Sequence, residues 1–189
     1  SRTAFFGIEG LAEYSHTLKS LDDAIGIHEA VLEAGKEATT SDPATVVVGG
    51  AGLSGIQTAG EVAELRDERG LPLEIHLVEG LDNVLPNSDP DLQGALRQRL
   101  EARDVHIRTG EFVGEVDEDT VYVGDDGELD YDVLVWTGGI TGRDAVEGAN
   151  VEMDDRSHRI NAGRTFQTND PRVFALGDAA LVDQPGDDP

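Results

Sequence analysis

A chain of 189 residues, 38% of them hydrophobic, can bury a core and fits one domain or one large domain with a small annex. It has no cysteine, which excludes disulfides, thiolate metal sites and a redox-active thiol pair. Its 39 acidic residues against 14 basic ones leave a net charge of −25, which excludes binding nucleic acid through its phosphates.

The acids recur from Glu9 to Asp188, and Lys19 and Lys36 are the only lysines. This dispersion fits a surface adapted to concentrated salt, where screening relieves self-repulsion, better than a local patch for a basic partner. No apolar run reaches the roughly 20 residues that span a bilayer, and no basic region leads into an apolar one at the start. A soluble, cytoplasmic chain is expected.

Residues 1–18 set Phe5, Phe6, Ile8 and Leu11 among glycines without a period, as a segment that needs a neighbour to pack against. Residues 20–36 predict an amphipathic helix: Ser20 caps it, Asp23 completes the capping box, and Ala24, Ile27, Val31 and Ala34 share a face. The polar linker 39–43 marks the expected start of the compact domain.

Residues 44–60 read ATVVVGGAGLSGIQTAG. The β-branched run 45–49 predicts a buried parallel strand, and 53–69 a helix closed by Gly70. Between them Gly50, Gly52 and Gly55 stand at the G-x-G-x-x-G spacing. Gly50 serves the tight turn, Gly52 lets a pyrophosphate approach, and Gly55 lets helix and strand lie close. The helix start aims free N–H groups at the phosphates, so Gly50, Ala51, Gly52, Leu53, Ser54 and Gly55 are the expected contacts of a dinucleotide. A second strand, 73–78, ends on Glu79, the expected partner of the adenosine ribose. The interval from Gly50 to Glu79 exceeds the usual ~20 residues because the intervening helix is long. The alternative is a glycine-rich turn in an unrelated α/β protein.

Two turns, 83–86 and 87–90, lead to a helix over 91–103 with Leu92, Leu96 and Leu100 on one side, and then to a strand over 105–109. Segments 112–116, 120–123 and 128–131 predict an antiparallel meander in place of a crossover helix. The apolar strand 133–136 runs into Thr137, Gly138 and Gly139, at the place where a strand end lines a nucleotide crevice, or else forms a plain junction. A last strand is expected over 173–176, stopping at Gly177 and Asp178. The architecture expected is α/β, a Rossmann-like parallel sheet with a meander crossover. The histidines His16, His28, His76, His106 and His158 show no ligand spacing, so no metal site is expected; His76 and His106 read as structural strand residues. No serine sits on a nucleophile elbow, and Trp136 reads as a buried strand-end aromatic.

In order, FFGIEGLAEYSHTLKSLDDA, VVVGGAGLSGIQTAGEVAEL, LVEG, LVWTGGITG and TNDPRVFALGDAA resemble the two-dinucleotide-fold flavoproteins of the pyridine nucleotide-disulfide oxidoreductase superfamily, and among them the type II NADH dehydrogenases (NADH:quinone oxidoreductases). The resemblance implies that residues 1–43 bridge from an FAD domain, 44–142 bind NADH, and 143–189 return to the FAD domain. It implies that Gly50–Gly55, Glu79 and Thr137–Gly139 serve NADH, and that Gly177 and Asp178 serve FAD in a longer parent. Residues 1–43 hold no strand–glycine–helix unit, so an NADH-binding fragment is expected, one that carries no FAD alone. Where many relatives put a glutamate near the nicotinamide and flavin this chain has Gln57, which hydrogen-bonds but takes up no proton at neutral pH. Gln57 is therefore either a changed catalytic position or an ordinary helix residue. The resemblance further implies a quinone or other acceptor, the rest of the FAD domain as a partner, a homodimer, and the inner membrane face for the parent. A module without turnover, or the matching domain of a ferredoxin- or sulfide-linked reductase, are the alternatives.

Overall fold

The computed structural model describes residues 1–142, 146 and 148–182. In chain order the elements are β1 (Arg2–Thr3), α1 (Leu11–Tyr14), β2 (His16–Thr17), α2 (Leu21–Glu37), β3 (Ala44–Gly49), α3 (Leu53–Arg69), β4 (Leu73–Glu79) and α4 (Pro90–Glu101). There follow β5 (Val105–Thr109), β6 (Val113–Val116), β7 (Thr120–Val123), β8 (Gly127–Asp130), β9 (Val133–Trp136), β10 (Ile140–Thr141), β11 (Ile160–Ala162) and β12 (Ala180–Val182). They form two compact units, Phe5–Gly138, and Ser1–Ala4 with the described residues from Gly139 on.

The larger unit is built on a five-stranded sheet in the order β2-β9-β3-β4-β5, every neighbouring pair parallel. Parallel strands are covered on both faces, which is why β3 reads as an unbroken apolar run. Val46 and Val48 point to a core that Ile27 and Val31 of α2, Ile56, Ala59 and Val62 of α3, and Leu100 of α4 complete. Val47 points the other way, with Val78, Leu134 and Trp136, onto Val116, Val121, Val123 and Leu129 of the antiparallel meander β6-β7-β8. Each fully buried valine contributes about 1.5–3 kcal/mol, so the three central valines of β3 anchor both layers.

The helices start where their caps lie. Ser20 Oγ accepts from Asp23 N at 3.1 Å and Asp23 Oδ2 accepts from Ser20 N at 2.9 Å, the expected capping box. Asp89 caps α4 with Pro90 in its first turn, one residue before the expected start. Gly70 closes α3 at φ 64°.

The structure supplies one expected neighbour and corrects one expectation. Residues 5–18 pack within the chain: Leu11 is fully buried beneath the meander, with Phe5 and Ile8 half-buried beside it, while Phe6 stands 67% exposed. Gly10 makes this possible, since a Cβ there would lie 1.8 Å from the Val116 carbonyl oxygen. In the smaller unit, 173–176 is not a strand. Asp170 and Pro171 turn the chain tightly enough that only one antiparallel bridge forms, Gln167 with Phe174, and the last strand, β12, comes after Gly177 and Asp178 and pairs in parallel with β11.

His76 and His106 face each other across β4 and β5, their rings stacked at 5.0 Å. His76 Nε2 bonds to Glu74 Oε1 at 2.9 Å, while its buried Nδ1 has no partner among the described residues. Burial, above all, holds the His76 imidazole below its ordinary pKa.

Candidate functional site

The carboxyl ends of β9, β3, β4 and β5 lie side by side, and the connections leave the sheet in opposite directions on either side of β3, the place where doubly wound sheets open a crevice. Gly50 leaves β3 at φ 93°, and a Cβ on it would stand 2.6 Å from Gly138 Cα. A Cβ on Gly55 would stand 1.7 Å from the Gly50 carbonyl oxygen, so α3 touches the turn backbone to backbone. Trp136 lies flat on this junction. Cβ atoms on Gly49 and Gly138 would meet its ring at 2.4 and 2.2 Å.

Gly52 differs from these. It is the N-cap of α3, no side chain caps the helix, and a Cβ on it would meet nothing within 4 Å. The first N–H groups of the helix therefore face open space at the positive end of its dipole, which suits a phosphate. Leu53 and Ser54 are exposed beside it, and Ala51 is fully buried.

The acid is fixed to the same turn. Glu79 Oε2 accepts from Ala51 N at 2.7 Å and Oε1 from Leu81 N at 3.0 Å, which orients the carboxylate and leaves further lone pairs for hydroxyl groups. Thr137 spends its hydroxyl inward, 2.9 Å from the carbonyl oxygens of both Gly49 and Gly50, and its N–H bonds Gly49 O at 2.8 Å. It braces the turn from the β9 side.

Gly50, Ala51, Gly52, Leu53, Ser54, Gly55, Glu79, Thr137 and Gly138 thus come together at one sheet edge. Gln57 is exposed on α3 and lines a groove of about 460 Å³ between α2 and α3, with Leu18, His28 and Thr58 among its walls. Gly139, Gly177 and Asp178 belong to the smaller unit. There Gly177 has φ 63° and opens a short 3-10 turn to Ala179. Asp178 is exposed, and its Oδ2 accepts from Ser1 Oγ at 2.8 Å. Among the described residues no group of three or more His, Asp or Glu is placed to hold a metal ion.

Three residues enter the site that patterning alone did not single out. Phe112, 66% exposed, lays its ring against Gly80, next to Glu79. An aromatic at the start of an expected strand gave no sign of that role. Leu85 N–H donates to Ala51 O at 2.7 Å, and Gln93 Nε2 donates to Leu85 O at 3.0 Å. Nothing in a leucine before a proline announces such a bond.

Residues 1–187 match the family model described as pyridine nucleotide-disulphide oxidoreductase. The type II NADH:quinone oxidoreductase Ndh of Mycobacterium tuberculosis is 30% identical over 210 residues, covering 95% of this chain and 44% of its own length. The NADH dehydrogenase-like protein YutJ of Bacillus subtilis is 27% identical over 178 residues, covering 94% and 47%. Among solved structures, NDH2 from Plasmodium falciparum in complex with NADH superposes with a TM-score of 0.80 at 18% identity, over 96% of this chain and 42% of that one. A ferredoxin reductase from Rhodopseudomonas palustris superposes with a TM-score of 0.74 at 20% identity, again over 96% and 42%. The structural likenesses carry the Rossmann-like fold. The chain spans less than half the length of the curated relatives it matches.

Proposed function

The chain belongs to the pyridine nucleotide-disulphide oxidoreductase family, and from this premise we propose that it is the NADH-binding part of an FAD-dependent NADH dehydrogenase. The observation that carries the reading is the uncapped start of α3 at Gly52, open on its outer side and flanked by the anchored carboxylate of Glu79. There the N–H groups of Gly52, Leu53 and Ser54 would donate to the pyrophosphate. Glu79 would accept from the adenosine ribose hydroxyls, and the exposed ring of Phe112 offers the adenine an apolar face.

When bound, NADH supplies a hydride and FAD accepts it. The chain's own part is to hold the nucleotide in register, and most of the rate would come from that orientation. Gln57 can donate and accept a hydrogen bond near the nicotinamide but carries no proton at neutral pH. Asp178, exposed on its short turn, would hold part of the FAD ribityl chain.

The name of the Mycobacterium tuberculosis relative supports a quinone as the acceptor, and that of the Rhodopseudomonas palustris neighbour a ferredoxin; quinone is the reading adopted, in a longer protein at the inner membrane face. No helix among the described residues is long and apolar enough to cross a membrane. The dispersed acids support a surface suited to concentrated salt.

The test uses Trp136, the single tryptophan, whose ring lies on Gly49 and Gly138. NADH is expected to quench its emission in the unsubstituted chain. In Gly52→Asp the new carboxylate caps α3 and repels the pyrophosphate, so quenching is lost while the melting temperature holds or rises. Unchanged NADH binding in Gly52→Asp would overturn the reading.

A further inference from the structure

The loop between β4 and α4 carries a strained residue with a single conspicuous task. Leu85 has φ 47°, a left-handed conformation that a branched side chain adopts only at a cost, and it precedes Pro86, which restricts it further. Its neighbour Val84 is 1% exposed in the sheet–helix core, so the loop is pinned there. From that position Leu85 N–H donates to Ala51 O at 2.7 Å, and Leu85 O accepts from Gln93 Nε2, on the first turn of α4, at 3.0 Å.

Ala51 is thereby held at both ends. Its N–H goes to Glu79 Oε2 at 2.7 Å and its carbonyl to Leu85. In a planar trans peptide the carbonyl and the following N–H point in opposite directions. Fixing the Ala51 carbonyl toward Leu85 therefore turns the Gly52 N–H the other way, at the uncapped start of α3.

We propose that Leu85 and Gln93 are positioning residues: the strained loop clamps Ala51 so that the phosphate-facing Gly52 N–H and the ribose-facing Glu79 carboxylate are set together, before nucleotide arrives. The proposal rests on the dinucleotide reading of the site. It gives the left-handed backbone of Leu85 a task besides the packing of its side chain against the core.

The clamp is tested on this chain with three variants. Replacing Leu85 by its α-hydroxy acid puts an ester oxygen in place of the N–H and keeps the side chain. Gln93→Met removes the bond to the Leu85 carbonyl, and Leu85→Gly keeps the N–H in an unstrained left-handed residue. In the absence of nucleotide, the Ala51 amide is expected to exchange about fivefold faster in the ester and in Gln93→Met, the scale of one backbone hydrogen bond. NADH affinity, read from Trp136, is expected to fall about fivefold in both and to stay within about twofold in Leu85→Gly, even though that variant melts at a lower temperature. ADP and adenosine should weaken together, because one clamp sets both subsites. Unchanged Ala51 exchange in the ester would overturn the clamp whatever the nucleotide does. So would a loss of NADH affinity in Leu85→Gly as large as in the ester, which would assign the effect to packing. Absence of NADH binding by the unsubstituted chain would instead overturn the dinucleotide reading, with exchange still deciding whether the clamp exists.

Discussion

Two glycine turns carry the nucleotide assignments, and they are built differently. At Gly50–Gly55 the backbone touches itself: a Cβ on Gly55 would sit 1.7 Å from Gly50 O, Thr137 braces two carbonyls, and Ala51 is bonded at both ends. At Gly177 a Cβ would meet nothing within 4 Å, and exposed Asp178 is tied to Ser1 by a hydroxyl bond. The first turn is preorganised, with its costs met inside the fold. The second is an open turn, held by Ser1 at the Asp178 carboxylate and by Arg159 at the Asp178 carbonyl, with its outer side free of contacts. A site of the first kind binds as it stands, and one of the second kind contributes only when other elements hold the same molecule.

That contrast can be broken by substitution. Gly55→Val should have the largest effect, about 3 kcal/mol or more lost in denaturant unfolding together with NADH binding, because the clashing atom is backbone and cannot yield. Gly177→Ala should cost only the left-handed conformation, about 1–2 kcal/mol. Equal losses would erase the distinction. Next, Thr137→Val keeps the shape and removes the hydroxyl shared by Gly49 and Gly50. About 1–2 kcal/mol of stability should go with it, and NADH should bind several-fold more weakly. Asp178→Asn should stay within about 0.5 kcal/mol in thermal unfolding of this chain.

Smaller effects sharpen the picture of the unit around the first turn. Melting temperature should rise with KCl, as the Debye length falls from about 10 Å at 0.1 M to about 3 Å at 1 M. A flat or falling curve would count against the salt-adapted surface. His76 is held below its ordinary value of 6.5 in the folded unit, so the unfolded chain binds the extra proton first. Stability should therefore be full above that value and decline as pH drops through it toward the lower folded pKa. In His76→Leu that part of the decline should vanish from urea titrations at stepped pH.

The sheet edge was largely legible in the sequence because local chemistry and global fold agree there. Thr45 to Gly49, Leu53 to Arg69 and the Gly70 cap each combine a clear period with an unambiguous stop. The meander was legible for the same reason, from its Asp-rich turns. Legibility failed where tertiary contacts decide. Leu11 has no periodic neighbours, and only Gly10 lying against Val116 shows why it is buried. The run from Val173 to Leu176 has strand composition, yet the Asp170–Pro171 turn leaves it one bridge. Thr137 was read as lining the crevice or as a plain junction, and the inward direction of its hydroxyl, onto the turn itself, is set by contacts no pattern shows. Leu85 gave no signal, because a left-handed residue without glycine, asparagine or aspartate is imposed by its surroundings.

The central claim is that Glu79, anchored beside the open start of α3, makes this a site for NADH. Titrating the same chain with NADH and NADPH, followed by Trp136 emission, tests it most directly. On this account Glu79 would accept from ribose hydroxyls and repel a 2′-phosphate, and Gly80, Leu81 and Asp82 offer that phosphate no cation. The account predicts NADH binding at least about tenfold tighter than NADPH, with the difference shrinking in Glu79→Gln. Equal or tighter binding of NADPH by the unsubstituted chain would contradict it.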